Sequence, residues 1–216
     1  MYRPSHFAVD DPEQIAAFLD ACPLLHLVQT SAAGLVANPV PMLRLDPVGA
    51  GMRLLGHVAR ANGLWQLADT NPDVLAIASG PNQYISPNWY PAKAEHHRVV
   101  PTWNYLSCHL YGRLSTFDSR ERLLDVLNRL TTHFEASQPR PWSVHDAPAD
   151  YIDKLLGAIV GLELTVTRIE CKFKLSQNHP KANQDGVLAG LAAGAETDHG
   201  ALREWMRQVL QDGSGN

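Results

Sequence analysis

The chain has 216 residues, 45% of them hydrophobic and 19% charged, with 18 Lys and Arg against 22 Asp and Glu and a formal net charge of −4. This is globular composition, enough to bury about 70–75% of the unfolded surface without a disulfide or metal staple, and its acidic balance removes any global attraction to nucleic acid. The three cysteines, Cys22, Cys108 and Cys171, lack paired zinc or redox spacing and read as reduced, mostly buried thiols of a cytoplasmic protein, while neither a secretory leader nor a run of roughly 20 apolar residues is found.

The first ten residues form an extended arm that Tyr2, Phe7 and Val9 can pin to the body. A helix follows: Asp11 is its N-cap, Pro12 suits the first position, Gln14 completes a capping-box pattern, and Ile15, Phe18, Leu19 and Cys22 make one stripe that stops at Pro23. The period then shifts to that of strands, Leu24–Thr30, Leu35–Leu45 and Met52–Val58, separated by turns at Ser31–Gly34 and Asp46–Gly51. Pro39 and Pro41 cannot donate to a ladder, so the second strand is expected to be an edge, bulged, or turned toward a ligand or partner there.

The stretch GHVARAN, Gly56–Asn62, runs from a strand into a short helix with Leu64, Trp65 and Leu67. His57, Arg60 and Asn62 could meet a phosphate at that junction, or Asn62 could cap the helix while Arg60 stays solvated. After the strand Val74–Ser79 comes the loop Gly80–Tyr105, with Tyr84, Trp89, Tyr90, Trp103 and Tyr105 and four prolines. Its stiffness and aromatic content suit a wall for a flat ligand, or a surface packed on the core or on a partner subunit.

Trp103–Leu114 alternates, with Leu106, Cys108 and Leu110 on the core face. A helix over Glu121–Phe134 carries the stripe Leu123, Leu127, Leu130 and Phe134, a short helix covers Asp150–Leu156, and a final strand runs Ile159–Ile169. It leads into ECKFKLSQN, Glu170–Asn178, where Lys172 and Lys174 point the same way and Ser176 and Gln177 add neutral donors, either as a solvated strand end or as part of a site. Gly186–Ala193 and Ala201–Leu210 read as C-terminal helices, with a tail from Asp212 that frays. The histidines, His96–His97 and His57 among them, lack metal-ligand spacing, so no metal site is expected.

GHVARAN, YISPNWYP, VPTWNY and KLSQN, in that order, make the chain resemble the PaiB family of FMN-binding negative transcriptional regulators, over about nine-tenths of its length from MYRPSHF through Gly186–Leu191. The resemblance implies an α+β fold, mainly β with flanking helices: an antiparallel FMN-binding split β-barrel with C-terminal helices. It places a split-barrel domain with an inserted helix at 1–180 and a helical appendage packing on it at 181–216. It also implies a homodimer with FMN at the subunit interface. Arg60 then becomes the charge partner of the flavin phosphate, with His57 and Asn62 as donors, and Tyr84, Ser86, Trp89, Lys93, Thr102, Trp103 and Asn104 lie around the isoalloxazine and ribityl groups. Lys174, Ser176 and Gln177 complete the site from the same or the other subunit. Where many relatives have a His, this chain has Pro39. The function implied is transcriptional control, direct or through redox sensing, although neither a helix-turn-helix signature nor a basic stripe is found to support DNA binding; a small FMN-dependent oxidoreductase drawing on NAD(P)H is the alternative.

Overall fold

The computed structural model describes residues 1–193 and 198–212, and the frayed tail expected beyond Asp212 lies outside the described residues. Asp11 accepts the Glu13 N–H at 3.0 Å, so helix α1, Pro12–Ala21, starts at the predicted cap and buries Ile15, Phe18 and Leu19. The strands are β1 (Ala8–Val9), β2 (Leu24–Ser31), β3 (Gly34–Arg44), β4 (Arg53–Ala59), β5 (Asp73–Ile85), β6 (Thr102–Phe117) and β7 (Ile159–Lys174). The remaining helices are α2 (Leu64–Thr70), α3 (Ala92–His96), α4 (Arg120–Glu135), α5 (Ala149–Leu156), α6 (Lys181–Ala193) and α7 (Asp198–Asp212).

The strand order is β1-β7-β4-β3-β2-β5-β6, and β7 also pairs with β6, so the sheet closes on itself. This is the expected α+β class, an antiparallel split β-barrel with flanking helices. Pro39 and Pro41 face His26 and Leu24 of β2, whereas the pairing of β3 with β4 begins only at Met42. At its prolines β3 is therefore laddered on one side, as a missing N–H donor requires. Among the described residues no helix is long and apolar enough to cross a membrane.

The chain falls into two compact units, one of Asp11–Ala78 and His109–Ile169, the other of Met1–Asp10, Ser79–Cys108 and Glu170–Asn216. The first unit holds the core of Leu55, Phe117, Leu123, Val126, Leu130 and Leu156, with α4 packed on β4 and α5 packed against α4. Val126 is buried on α4, while Phe134, expected in the stripe, is 42% exposed in the last turn of the helix.

In the second unit Lys172 is nearly buried; it donates to the Tyr2 carbonyl at 3.2 Å and sits about 5 Å from the Tyr105 and Tyr2 rings. β1 pairs with β7 beside it, and Phe7 and Val9 are buried, so the arm is pinned by these two while Tyr2 stays exposed. Cys108 and Cys171, 63 residues apart, form a disulfide with Cα atoms 4.2 Å apart. The expectation of reduced thiols is thus corrected for both: β6 and β7 are paired strands, and each cysteine points to the buried face. Cys22 alone remains a thiol.

Candidate functional site

The GHVARAN residues lie in the first unit, at the end of β4 and the start of α2. Arg60 donates from Nε to the Gly157 carbonyl at 3.0 Å and from Nη2 to that of Ile159 at 3.1 Å, with the Asp118 carboxylate 3.6 Å away. Part of its guanidinium fork therefore ties down the turn between α5 and β7. Asn62 accepts the Leu64 N–H at 3.0 Å and donates to the Asn38 side chain at 3.1 Å, so it caps α2 and fastens it to β3. Both residues carry structural duties that a phosphate would have to share.

His57, on β4, has a buried Nδ1 with no hydrogen-bond partner among the described residues, and burial lowers its pKa from the ordinary 6.5. In the unfolded chain this imidazole takes a proton more readily than in the fold. Stability is therefore expected to be level above about pH 6.5 and to decline as pH falls below it. His57→Leu should flatten that decline in urea titrations at pH 5 and pH 8; an unchanged pH dependence would assign the loss to other groups.

All ten other expected residues lie in the second unit. Tyr84 on β5 and Trp103 on β6 meet edge to face at 6.4 Å, and both are about half exposed. Ser86 caps the 3-10 turn Pro87–Trp89 by accepting the Asn88 N–H at 3.2 Å. Trp89 lies against Gly186 and Gly190 of α6, and Lys93 is exposed and bonded to Asn88. Gln177 folds back, accepting the Leu175 N–H at 2.7 Å and donating to the Phe173 carbonyl at 2.6 Å, which closes the end of β7 rather than offering its amide outward.

Four of the expected residues converge. Thr102 and Asn104 at the start of β6 meet Lys174 and Ser176 at the end of β7: the Lys174 ammonium donates to Thr102 Oγ1, and the buried Asn104 amide and Ser176 hydroxyl exchange hydrogen bonds at 3.0 and 3.2 Å. Ser176 holds φ +67°, a left-handed conformation that costs a non-glycine residue about 1–3 kcal/mol and persists only where its surroundings dictate it.

These four line a cleft of about 490 Å³, within the range of roughly 300–1,000 Å³ typical of small-molecule sites. Tyr90, Arg98 and His179 also line it. Tyr90 is 2% exposed, stacks on His179 with ring centres 5.0 Å apart, and its hydroxyl has no hydrogen-bond partner among the described residues. Burial raises the Tyr90 pKa and lowers those of Lys174 and His179; nearby Lys174 adds to the lowering at His179. The aromatic-loop reading included Tyr90 in the candidate ligand wall, but the flavin contacts expected residue by residue included Trp89 and neither Tyr90 nor His179. The only signal for His179 was position, since it directly follows KLSQN.

A wider cleft of about 530 Å³ in the first unit is lined by Arg53, Arg122 and Arg129, but each of these is paired with a carboxylate, from Asp46, Glu163 and Asp125 respectively. The smaller cleft is the better site, because no carboxylate lines it to pair with Lys174 and the Tyr90 hydroxyl has no hydrogen-bond partner among the described residues. A cation, amide and hydroxyl donors and an unpartnered phenol suit a ligand with an anionic group, hydroxyls and a conjugated ring, so the donor set fits FMN.

Residues 1–168 match the family described as “Putative FMN-binding domain”. The chain is 28% identical to “Protease synthase and sporulation protein PAI 2” of Bacillus subtilis, over 98% of this chain and 97% of that protein. Among solved structures, it superposes with TM-score 0.59 on the conserved hypothetical protein Rv2991 of Mycobacterium tuberculosis, at 11% identity over 83% of this chain and 94% of that one. It superposes with TM-score 0.56 on the flavocytochrome Anf3 of Azotobacter vinelandii, at 19% identity over 80% and 72%. At these identities the structural likeness establishes the shared fold.

Proposed function

The chain belongs to the FMN-binding domain family, whose cofactor is FMN, and we propose that it is a cytoplasmic homodimer of the PaiB type with FMN at the subunit interface, acting in transcriptional control indirectly, through the state of its flavin. The observation that carries this reading is the cleft where Thr102, Asn104, Lys174 and Ser176 converge with Tyr90. The half-exposed Tyr84 and Trp103 pair supports an interface, since aromatic side chains are enriched in protein contacts.

When bound, FMN supplies the electron-transfer chemistry. The chain's residues supply binding and order: the Lys174 ammonium offsets negative charge, Thr102 orients that ammonium, and the Asn104–Ser176 pair holds the ends of β6 and β7 in register. The remaining expected contacts, His57, Arg60, Asn62, Ser86, Trp89, Lys93 and Gln177, act in this reading mainly by holding the elements that carry the cleft and the aromatic wall.

The net charge of −4 favours a second reading over direct DNA binding, namely a small flavin oxidoreductase drawing on NAD(P)H. Steady oxidation of NADH or NADPH by FMN-loaded protein would support it. Inertness toward both, with no salt-dependent, sequence-selective retention of promoter DNA, supports indirect control, and selective retention would overturn the indirect route.

A further inference from the structure

The lining of the cleft near Lys174 contains Lys174, Arg98, His96 and His179 but no Asp or Glu, in a chain where acidic side chains outnumber Lys and Arg by 22 to 18. The contrast with the wider cleft is informative, because there Arg53, Arg122 and Arg129 share the lining with Asp46, Glu121, Asp125 and Glu163. Charge is balanced inside the protein in one cleft and left positive in the other. A half-buried ammonium without a carboxylate is costly, and proteins keep such groups where a ligand completes them. Lys174 has the Thr102 hydroxyl as its partner and no salt-bridged carboxylate among the described residues. Tyr90 adds a second, independent feature, a phenol almost wholly buried that lines the same cleft and whose hydroxyl has no hydrogen-bond partner among the described residues. An unpartnered buried donor is costly, and a ligand oxygen would recover that loss.

We propose that this cleft is a phosphate site, in which Lys174 and the Tyr90 hydroxyl grip the phosphate monoester of a ligand while the Asn104–Ser176 pair fixes the floor. The proposal rests on the FMN-binding reading for the identity of the larger molecule, yet the site itself stands on its own residues. The phosphate belongs either to FMN or to a second, phosphorylated ligand. Arg60, with two of its nitrogens on the Gly157 and Ile159 carbonyls, is the weaker claimant to it.

The test is calorimetric titration of the full chain with inorganic phosphate, FMN and riboflavin, for the wild type, Lys174→Gln and Tyr90→Phe. Inorganic phosphate is expected to bind the wild type, at least tenfold more weakly to Lys174→Gln and several-fold more weakly to Tyr90→Phe. Tyr90→Phe also separates a ligand role from a structural one: its melting temperature should equal or exceed that of the wild type, because the hydroxyl it removes has no partner among the described residues. If Lys174→Gln weakens FMN but not riboflavin, the phosphate is the flavin's own. If FMN affinity is unchanged while phosphate binding is lost, the site serves a second ligand. Absence of phosphate binding by the wild type, with an FMN-to-riboflavin ratio unaltered by both substitutions, overturns the proposal even where FMN itself binds. A wild type that takes phosphate but no FMN retains the site and discards the flavin reading.

Discussion

Removing the Cys108–Cys171 bond is expected to lower the free energy of unfolding by about 2–4 kcal/mol, a large share of the roughly 5–15 kcal/mol of a typical domain. The bond closes a loop across a sequence separation of 63, so the unfolded chain regains much conformational freedom when it is cut. It also joins the two strands whose ends carry Asn104 and Ser176. Both sulfurs lie on residues that are 0% exposed, so native reduction should be slow and the double variant Cys108→Ala, Cys171→Ala is the better probe. Its urea midpoint should fall well below that of the parent under oxidising conditions and match the parent unfolded and refolded with reductant. Alkylation of denatured, unreduced protein should modify Cys22 alone. Three modified cysteines, with identical midpoints for the double variant and the parent, would remove the bond from the account.

Gly186→Ala should have the next largest effect. A Cβ there would lie 2.0 Å from the Trp89 carbonyl oxygen and 3.0 Å from Pro91 Cδ, and a Cβ on Gly190, one turn on, would lie 2.3 Å from the Trp89 ring. Alanine gains about 1 kcal/mol of helix propensity over glycine, but the atom it meets is backbone, so the Pro87–Trp89 turn or α6 must move. Overpacking of this kind costs about 1–3 kcal/mol, and the clash is expected to win. Because Tyr90 follows Trp89 directly, the displacement should also weaken ligand binding in the cleft. Gly200→Ala on α7, where a Cβ meets nothing within 4 Å, is the control and should leave the melting temperature unchanged or raised. Equal melting temperatures for Gly186→Ala and Gly200→Ala would contradict the packing of Trp89 on α6.

The elements that were legible in the sequence are those with local causes. Asp11 and Pro12 announce α1 because a cap and its first turn are neighbours in the chain. Alternation over Leu106, Cys108 and Leu110 marks the buried face of β6 for the same reason. The reading of Gly80–Ile85 as loop failed because glycine and proline normally interrupt a strand, whereas β5 carries both through to Ile85. Likewise Glu170–Lys174 continues β7, and α6 starts at Lys181, ahead of the first residue of the apparent helix at Gly186. The disulfide and the cleft were out of reach, since each depends on the pairing of β6 with β7 across more than 60 residues. The family motifs marked the right strand ends, Thr102–Asn104 and Lys174–Ser176. Which side chains turn toward one another there is a tertiary property, and so is the diversion of Arg60 to the Gly157 and Ile159 carbonyls, whereas Gln177 folds back on its own neighbours Phe173 and Leu175.

The central claim is that this chain holds FMN, and the most direct measurement is the absorption spectrum of the purified protein during titration with FMN, followed by denaturation to identify the flavin released. The account predicts saturable binding of one FMN per subunit, with a perturbed flavin band and FMN recovered on unfolding. A spectrum that remains the sum of free FMN and protein throughout micromolar additions, with no flavin recovered, would contradict it.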